Sequence, residues 1–245
     1  MLRRRWTVCG RYDSMGLVRT MLITGASGGI GAAVVRAAAD HGYRVMAAGR
    51  DALRLDQLCA ETPQTTAVLL DLRRPDDLPD SLIELDRLDA IVHCAAVADV
   101  ASVEDTPYPL WLETLTVNVA AAAEITRRLL PALRNAVGHV VFVNAAPDTH
   151  AVPRWSAYAA SKVALRELAD SLREEEACLG LRVTTIYPGS TATELLQKVR
   201  AQFGRPFNPA DCIQPATLAS VVLTVLDMRD DAYLPELSVL PTPRP

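Results

Sequence analysis

The sequence predicts a doubly wound α/β fold, in which helices cover both faces of a seven-stranded, mostly parallel sheet. Three observations indicate this class. Short apolar runs alternate with longer segments of helical period, several of the runs are apolar almost throughout, and a glycine-rich turn follows the first run. Strands that are apolar on both faces suit the interior of a parallel sheet, and strand–helix alternation favours right-handed crossovers.

Seven segments are predicted as strands because they are short, apolar and rich in β-branched residues. They are residues 18–25, 43–49, 66–72, 88–96, 139–145, 182–189 and, with a weaker pattern, 236–240. Helical spacing of apolar residues marks the segments between them. The predicted helices are residues 29–41, 51–61, 75–85, 109–137, 154–179, 193–203 and 215–228. Every predicted strand except the last is followed by a helix.

The chain of 245 residues, half of them apolar, is long enough for one α/β domain with a sizeable core. Residues 1–16 precede the first strand and show no periodicity, so we expect a disordered N-terminal extension. Residues 17–245 are predicted to form a single domain, because no repeat or low-complexity linker interrupts them.

Charge and composition exclude several classes of protein. A net charge of −4 without a cluster of Lys and Arg gives no footprint for nucleic acid. No uncharged apolar run reaches the roughly 18 residues of a membrane span, and no secretory signal follows the N-terminal arginines. The five cysteines form no CxxC pair and the histidines lack metal-ligand spacing. We therefore expect reduced thiols, no metal site and a cytoplasmic protein.

The segment TGASGGIGAAVV, residues 24–35, predicts a phosphate site after the first strand. Gly25, Gly29 and Gly31 have the spacing GxxxGxG, with Gly28 added. Glycine permits a positive φ and a close approach of backbone to ligand. The following helix points its unpaired N–H groups and positive dipole end at the same place, which favours a bound pyrophosphate.

The end of the second strand bears on the choice of cofactor. In dinucleotide-binding folds an acidic residue here binds the ribose 2′-hydroxyl, whereas an arginine accommodates a 2′-phosphate. Gly49-Arg50 supplies the cation, one position before Asp51. The sequence therefore favours NADP(H) over NAD(H), with a solvated loop arginine as the alternative. Asp71, at the end of the third strand, is predicted to bind the adenine amine or to cap a helix.

Tyr158 and Lys162 are four residues apart in a predicted helix and therefore share one face. An ammonium beside a phenol favours the phenolate, so we expect Lys162 to lower the pKa of Tyr158. A phenol tuned in this way can donate and accept a proton near neutral pH. This spacing occurs by chance in many helices, so it indicates an acid/base pair only together with other motifs of the sequence.

The sequence resembles the short-chain dehydrogenase/reductase family over about residues 17–240. The matching motifs are TGASGGIG (24–31), Asp71, VNV with Asn118, YAASK (158–162) and YPGSTAT (187–193). The resemblance implies a Rossmann-like fold and hydride transfer between NAD(P)(H) and a carbonyl or alcohol. It implies that Tyr158 is the acid/base, that Lys162 also holds the nicotinamide ribose, and that Asn118 supports a water relay.

The same resemblance implies which residues line the cofactor, with Pro188 and Gly189 beside the nicotinamide and Thr193 and Thr191 near its carboxamide. The full predicted set is Gly25, Ser27, Gly28, Gly29, Ile30, Gly31, Arg50, Asp71, Leu72, Ala95, Tyr158, Lys162, Pro188, Gly189, Thr191 and Thr193. The resemblance also implies a homodimer or homotetramer that pairs helices 109–137 and 154–179.

Two positions depart from the family's pattern. Ala145 occupies the place of the family's serine, a donor to the substrate oxygen whose loss typically costs about 10²–10³ in rate. Asn144 or Thr149 could replace the donor, although strand alternation points residue 144 away from residue 145. The second departure is HCAA at residues 93–96, which puts Ala96 where the family has a glycine near the cofactor ribose.

Two hypotheses of function result. The first is an NADP(H)-dependent oxidoreductase for a small, apolar carbonyl or alcohol, with a substrate lid around residues 190–212. The apolar side chains of that segment are Leu195, Leu196, Val199, Phe203 and Phe207. The alternative is a catalytically weakened protein that binds a dinucleotide in a structural or sensing role, as Ala145 and Ala96 suggest.

Overall fold

The computed structural model describes residues 18–146, 151–228 and 231–243, and its centre is a seven-stranded sheet. The strands are β1 Thr20–Thr24, β2 Arg44–Gly49, β3 Thr65–Leu69, β4 Ala90–His93, β5 His139–Val143, β6 Arg182–Pro188 and β7 Glu236–Val239. Their order is β3-β2-β1-β4-β5-β6-β7, and each of these pairings is parallel. The predicted class is confirmed. The expected extension over residues 1–16 lies outside the described residues.

Helices flank the sheet on both faces. They are α1 Gly29–Asp40, α2 Ala52–Glu61, α3 Asp80–Ile83, α4 Tyr108–Leu115, α5 Ala121–Ala136, α6 Ser156–Glu176, α7 Glu194–Gln202 and α8 Pro215–Leu226. Short 3₁₀ helices cover Ala177–Leu179 and Pro209–Asp211. None of the helices within the described ranges combines the length and the apolar character needed to cross a membrane.

The predicted helix 109–137 is wrong in its continuity. The structure has α4 and α5 joined by a π-helical turn, Thr116–Ala120. A π turn widens the helix to i→i+5 hydrogen bonds, so it accommodates one additional residue, and such turns are frequent at functional sites. It carries Asn118, which is buried beneath the crevice described below.

The core lies in two layers because neighbouring residues of a strand point to opposite faces. In β1, Met21 and Ile23 pack in the cluster that includes α1, α2 and α8, whereas Leu22 packs in the cluster that includes α3, α5 and α6. All residues of β4 and β5 are buried. These strands are the centre of the sheet, and they are apolar on both sides for that reason.

The strand order reverses between β1 and β4, since β2 and β3 lie on one side of β1 and β4 to β7 lie on the other. In open parallel sheets, ligands bind in the crevice outside the carboxyl ends of the strands at such a switch point. The carboxyl ends of β1, β4, β5 and β6 lead into the segments that contain the predicted site residues.

Candidate active site

The glycine turn after β1 is packed too closely for side chains at two positions. Gly25 has φ +69°, and a Cβ there would lie 2.8 Å from the backbone of Ala95, which follows β4. A Cβ on Gly31 would lie 2.2 Å from the carbonyl oxygen of Gly25. These contacts bring the first turn of α1 directly against the end of β1. No side chain caps α1 and its first turn holds no acid, so its leading N–H groups remain available to an anion.

A groove of about 480 Å³ runs across this turn along the carboxyl ends of β1, β2 and β3. The predicted cofactor residues that line it are Gly25, Ser27, Gly28, Gly29, Ile30, Arg50, Asp71, Leu72, Ala95 and Thr193. Gly31 lies beneath the groove, where it serves helix packing. Asp71 caps no helix: its carboxylate accepts a hydrogen bond from the N–H of Arg73 in a turn.

Cationic side chains that the sequence reading missed also line the groove. Arg54, on α2, donates to Glu194 of α7 at 3.0 Å and pairs with Asp51. Arg73 donates to Glu113 of α4 at 2.8 Å. Hydrogen bonding to the glutamate partner raises the pKa of each guanidinium. Both pairs join residues that are far apart in the sequence, so no local motif predicts them.

A second cavity, of about 320 Å³, continues from the groove toward β5, β6 and α7. It is lined by the remaining predicted residues, namely Tyr158, Lys162, Pro188, Gly189 and Thr191. The two spaces share lining residues, among them Ile30, Cys94, Ala96 and Thr193. Groove and cavity therefore form one crevice, with the glycine turn at one end and the tyrosine-lysine pair at the other.

Tyr158 and Lys162 lie on one face of α6, as expected, and both are buried. The Lys162 Nζ donates to the carbonyl of Val143 at 3.1 Å and lies 5.6 Å from the centre of the Tyr158 ring. Burial lowers the pKa of Lys162 to about 8 and raises the pKa of Tyr158. The expected lowering of the tyrosine pKa is wrong for this geometry, because the cost of burying a phenolate exceeds the effect of the ammonium.

An apolar cluster packs around Tyr158. Trp155 stacks on Tyr158 with ring centres 4.4 Å apart and planes inclined by 17°. Ala145 packs against the same cluster together with Leu195 and Phe203. Ala145, where the resemblance predicts a serine, therefore presents a methyl group among the residues that line the cavity.

Asn144, one of the two candidates for a replacement donor, lines the cavity but has its side-chain amide bonded to the backbone. Its amide N–H is donated to the carbonyl of Lys162 at 3.0 Å, and its oxygen accepts from the N–H of Ala145. The side chain therefore ties the end of β5 to α6. Thr149, the other candidate, lies outside the described residues.

Asn118 braces the floor of the crevice and does not line it. Its amide N–H groups are donated to the Val97 carbonyl and to the Ser161 hydroxyl, both at 2.9 Å, and its oxygen accepts from the Val97 N–H. Ser161 in turn donates to the carbonyl of Tyr158 at 2.7 Å. The π turn, the segment after β4 and α6 are joined by this chain of bonds.

The segment that departs from the family motif lies where groove and cavity meet. Cys94 and Ala96 line both spaces. Burial raises the pKa of the Cys94 thiol to about 12, so this group is a neutral thiol. Ala96 lines both spaces, and the crevice is continuous at this residue.

The donor set fits a nicotinamide dinucleotide. An uncapped helix N-terminus suits a pyrophosphate, and Arg50 and Asp71 stand at the end of the groove where the dinucleotide fold holds the adenosine. Thr193, which lines the groove as predicted for a cofactor residue, also caps α7: its hydroxyl accepts from the N–H of Leu196. Its methyl group comes within 3.2 Å of the position of a Cβ on Gly29, so α7 begins over the glycine turn.

Comparison with known proteins agrees with this arrangement. The profile of the short chain dehydrogenase family matches residues 19–203. An uncharacterized oxidoreductase of Myxococcus xanthus is 34% identical over 189 residues, covering 72% of this chain and 74% of its own. An uncharacterized short-chain type dehydrogenase/reductase of Sinorhizobium fredii is 28% identical, covering 93% of both.

Among solved structures, a metagenomic short-chain oxidoreductase in complex with NADP superimposes with a TM-score of 0.75 at 25% identity. The match covers 92% of this chain and 98% of the other. The family profile spans most of the chain, and the sheet order, the glycine turn and the crevice agree with it. The chain therefore belongs to the short-chain dehydrogenase family.

Proposed function

We propose that the protein is an NADP(H)-dependent oxidoreductase that interconverts a carbonyl and an alcohol, with Tyr158 as the acid/base. One observation carries the proposal: Tyr158 and Lys162 line a cavity that is continuous with a groove built for a dinucleotide. The NADP complex of the metagenomic relative supports a nicotinamide cofactor.

The side chains of the crevice would have different roles in such a reaction. The bound nicotinamide would supply or accept the hydride. In reduction, Tyr158 donates its phenolic proton to the substrate oxygen, which its raised pKa permits because the phenol is protonated at neutral pH. The neighbouring Lys162 ammonium stabilises the phenolate that results. Asn118 and Ser161 hold the backbone of Tyr158 in place.

The preference for NADP(H) rests on Arg50. It is exposed at the end of β2, lines the groove and has no ion pair in the part of the chain that the structure describes. A 2′-phosphate at this point would meet a guanidinium that is free to bind it in a bidentate manner. Asp51, by contrast, is already engaged with Arg54 and with the start of α2.

The substrate end of the crevice is covered by residues 190–212, which we propose as the lid. They include α7, whose Leu195, Leu196 and Val199 line the cavity together with Trp155. These side chains favour a small substrate with an apolar body. We further propose a homodimer or homotetramer in the cytoplasm, formed through the face of α4 and α6.

Ala145 motivates the alternative function, a weakened protein that binds the dinucleotide without turnover. Ala145 itself offers no hydrogen bond to the substrate oxygen, and it packs in an apolar cluster beside Tyr158. Loss of such a donor lowers a rate by about 10²–10³ and leaves the acid/base in place. We therefore favour a functioning enzyme.

The test is NADPH oxidation across a panel of aldehydes and ketones by the native chain, Ala145→Ser and Tyr158→Phe. Removal of the phenolic proton is expected to lower kcat by about 10²–10⁴, and the restored hydroxyl is expected to raise it by up to about 10²–10³. Tyr187→Phe is the matched control, since its hydroxyl bonds Glu236 away from the crevice. No loss in Tyr158→Phe and no gain in Ala145→Ser on any substrate, with NADPH binding retained, would establish the alternative.

A further inference from the structure

The cavity beside Tyr158 has an asymmetric distribution of charge. Among the residues that the structure describes, its lining includes three cations, Lys162, Arg200 and Arg205, and no aspartate or glutamate. The adjoining groove, in contrast, is lined by Asp71, Asp99, Glu113 and Glu194 as well as by cations. A cavity with fixed positive charge and no acid to balance it favours an anionic occupant.

The two arginines are free of carboxylates in the ranges that the structure describes. Arg200 donates one N–H to the carbonyl of Pro206 at 3.2 Å and another toward the hydroxyl of Ser190 at 3.5 Å. Arg205 lies with its guanidinium carbon 5.2 Å from the centre of the Phe203 ring. A guanidinium has five N–H donors, so both residues keep donors for a further acceptor.

A path of aromatic rings leads from the phenol to these cations. Tyr158 stacks on Trp155, and Trp155 meets Phe203 edge to face with ring centres 5.8 Å apart. Phe203 then carries Arg205 over its ring, and the guanidinium of Arg154 lies 5.8 Å from its centre on the loop before α6. The reacting end of the cavity is thus separated from the cationic end by an apolar wall, to which Leu195, Leu196 and Val199 contribute.

We propose that the substrate is a carbonyl compound, or the corresponding alcohol, with an apolar body and a carboxylate at the end away from the reacting carbon. The carbonyl meets Tyr158, the body packs along Trp155 and Phe203, and the carboxylate binds Arg200 and Arg205. The planar fork of a guanidinium matches the two oxygens of a carboxylate. The placement of the carbonyl rests on the proposed function, whereas the binding of the carboxylate does not.

Two pairs of ligands, matched in shape and different in charge, separate the contribution of charge to binding from the contribution of shape. Octanoate and octanamide are titrated by calorimetry into the full chain in the presence of NADPH, and para-formylbenzoate and para-formylbenzamide are compared as substrates. We expect each acid to be favoured over its amide by at least about ten-fold, because a hydrogen bond to a charged group contributes about 1.5–3 kcal/mol. Added salt is expected to weaken the acids alone.

The variants locate the effect. Two variants are tested: the single variant Arg205→Gln, which removes no side-chain hydrogen bond of the described chain, and the double variant Arg200→Gln with Arg205→Gln. Both are expected to abolish the preference for the acids by raising Kd and KM for the acids only. Replacement of both arginines by lysine keeps the charge and is expected to keep most of the preference. Arg44→Gln is the matched control, because Arg44 is exposed at the amino end of β2, whereas the crevice lies at the carboxyl ends of the strands.

The outcomes distinguish this inference from the proposed function. If octanoate and octanamide bind equally, or if the preference survives in the double glutamine variant, the carboxylate site is wrong even when aldehydes are reduced. If octanoate binding depends on the arginines while no aldehyde is reduced by any variant, the carboxylate site stands and the oxidoreductase function fails.

Discussion

Arg50 and Arg54 both line the groove, yet their surroundings differ. Arg54 is held between Glu194 and Asp51, and its guanidinium would lie 3.5 Å from a Cβ on Gly28. Arg50 is exposed and unpaired within the described ranges. A bound 2′-phosphate gains a full charge interaction from Arg50, whereas Arg54 must first give up an existing partner.

We therefore expect Arg50→Ala to weaken NADPH binding by about 10–100-fold, the equivalent of one charged hydrogen-bonded contact of about 1.5–3 kcal/mol, and to leave NADH binding unchanged. Arg54→Ala is expected to have the smaller effect. Calorimetric titration of both nucleotides into the native chain and the two variants measures this. Equal affinities for the two nucleotides that do not respond to Arg50→Ala would remove the NADP preference.

Sequence motifs could point to a candidate site residue where the residues that surround it in space are also close to it in sequence. The glycine turn, Arg50 and the pair Tyr158 and Lys162 are of this kind. Arg54 was missed because its partner Glu194 is 140 residues away. The pKa of Tyr158 was predicted in the wrong direction, because the spacing to Lys162 reveals the ammonium and conceals the burial that dominates.

At the scale of elements, α4 presents an apolar stripe outward. Tyr108, Leu112 and Leu115 are spaced so as to share one face and are 75%, 51% and 37% exposed. Val163 of the adjoining α6 is 51% exposed. Exposed apolar side chains grouped in this way mark a protein interface more often than a solvated surface.

A charge in this stripe should separate the subunits. We expect Leu112→Glu to convert the proposed oligomer into a monomer, because a carboxylate buried in an apolar interface without a partner is costly. Sedimentation velocity measures the change in mass. Leu53→Glu, at an exposed leucine of α2 on another part of the surface, is expected to leave the oligomer intact. A native chain that is monomeric throughout the micromolar range would contradict the proposed assembly.

The strands and most helices were predicted close to their observed limits, because their apolar periodicity is long and regular. The π turn Thr116–Ala120 was not, since one additional residue changes the apolar pattern too little to interrupt a helical reading. Helix α3 covers Asp80–Ile83 and not the predicted residues 75–85, because the proline-rich approach to it forms turns. Local pattern thus predicted the class of fold, and tertiary contacts decided its irregular parts.

At the scale of the whole molecule, two buried histidines connect stability to pH. His93 stacks on Phe142 and bonds Thr126, and His139 bonds Thr184. Burial lowers the pKa of each to about 3 from an ordinary value of 6.5. Between these values the unfolded chain binds more protons than the folded chain, so stability present above pH 6.5 is lost as the pH falls toward 3.

We expect the free energy of unfolding in urea to fall by roughly 1–2 kcal/mol per buried histidine between about pH 7 and about pH 5. His93→Gln should reduce this dependence, because it removes one of the groups that must remain neutral. His41→Gln, at an exposed histidine, should leave it unchanged. A stability curve that is flat over this interval in the native chain would contradict the assignment.

Helix α7 lines both the groove and the cavity. Its first turn holds Glu194 against Arg54 at the groove, and its later turns supply Val199 and Arg200 to the cavity. Since nine residues of helix behave as a rigid rod, a displacement at one end reaches the other. We therefore expect a ligand that separates Glu194 from Arg54 to shift Val199 and Arg200 as well, which would link occupancy of the groove to the shape of the cavity.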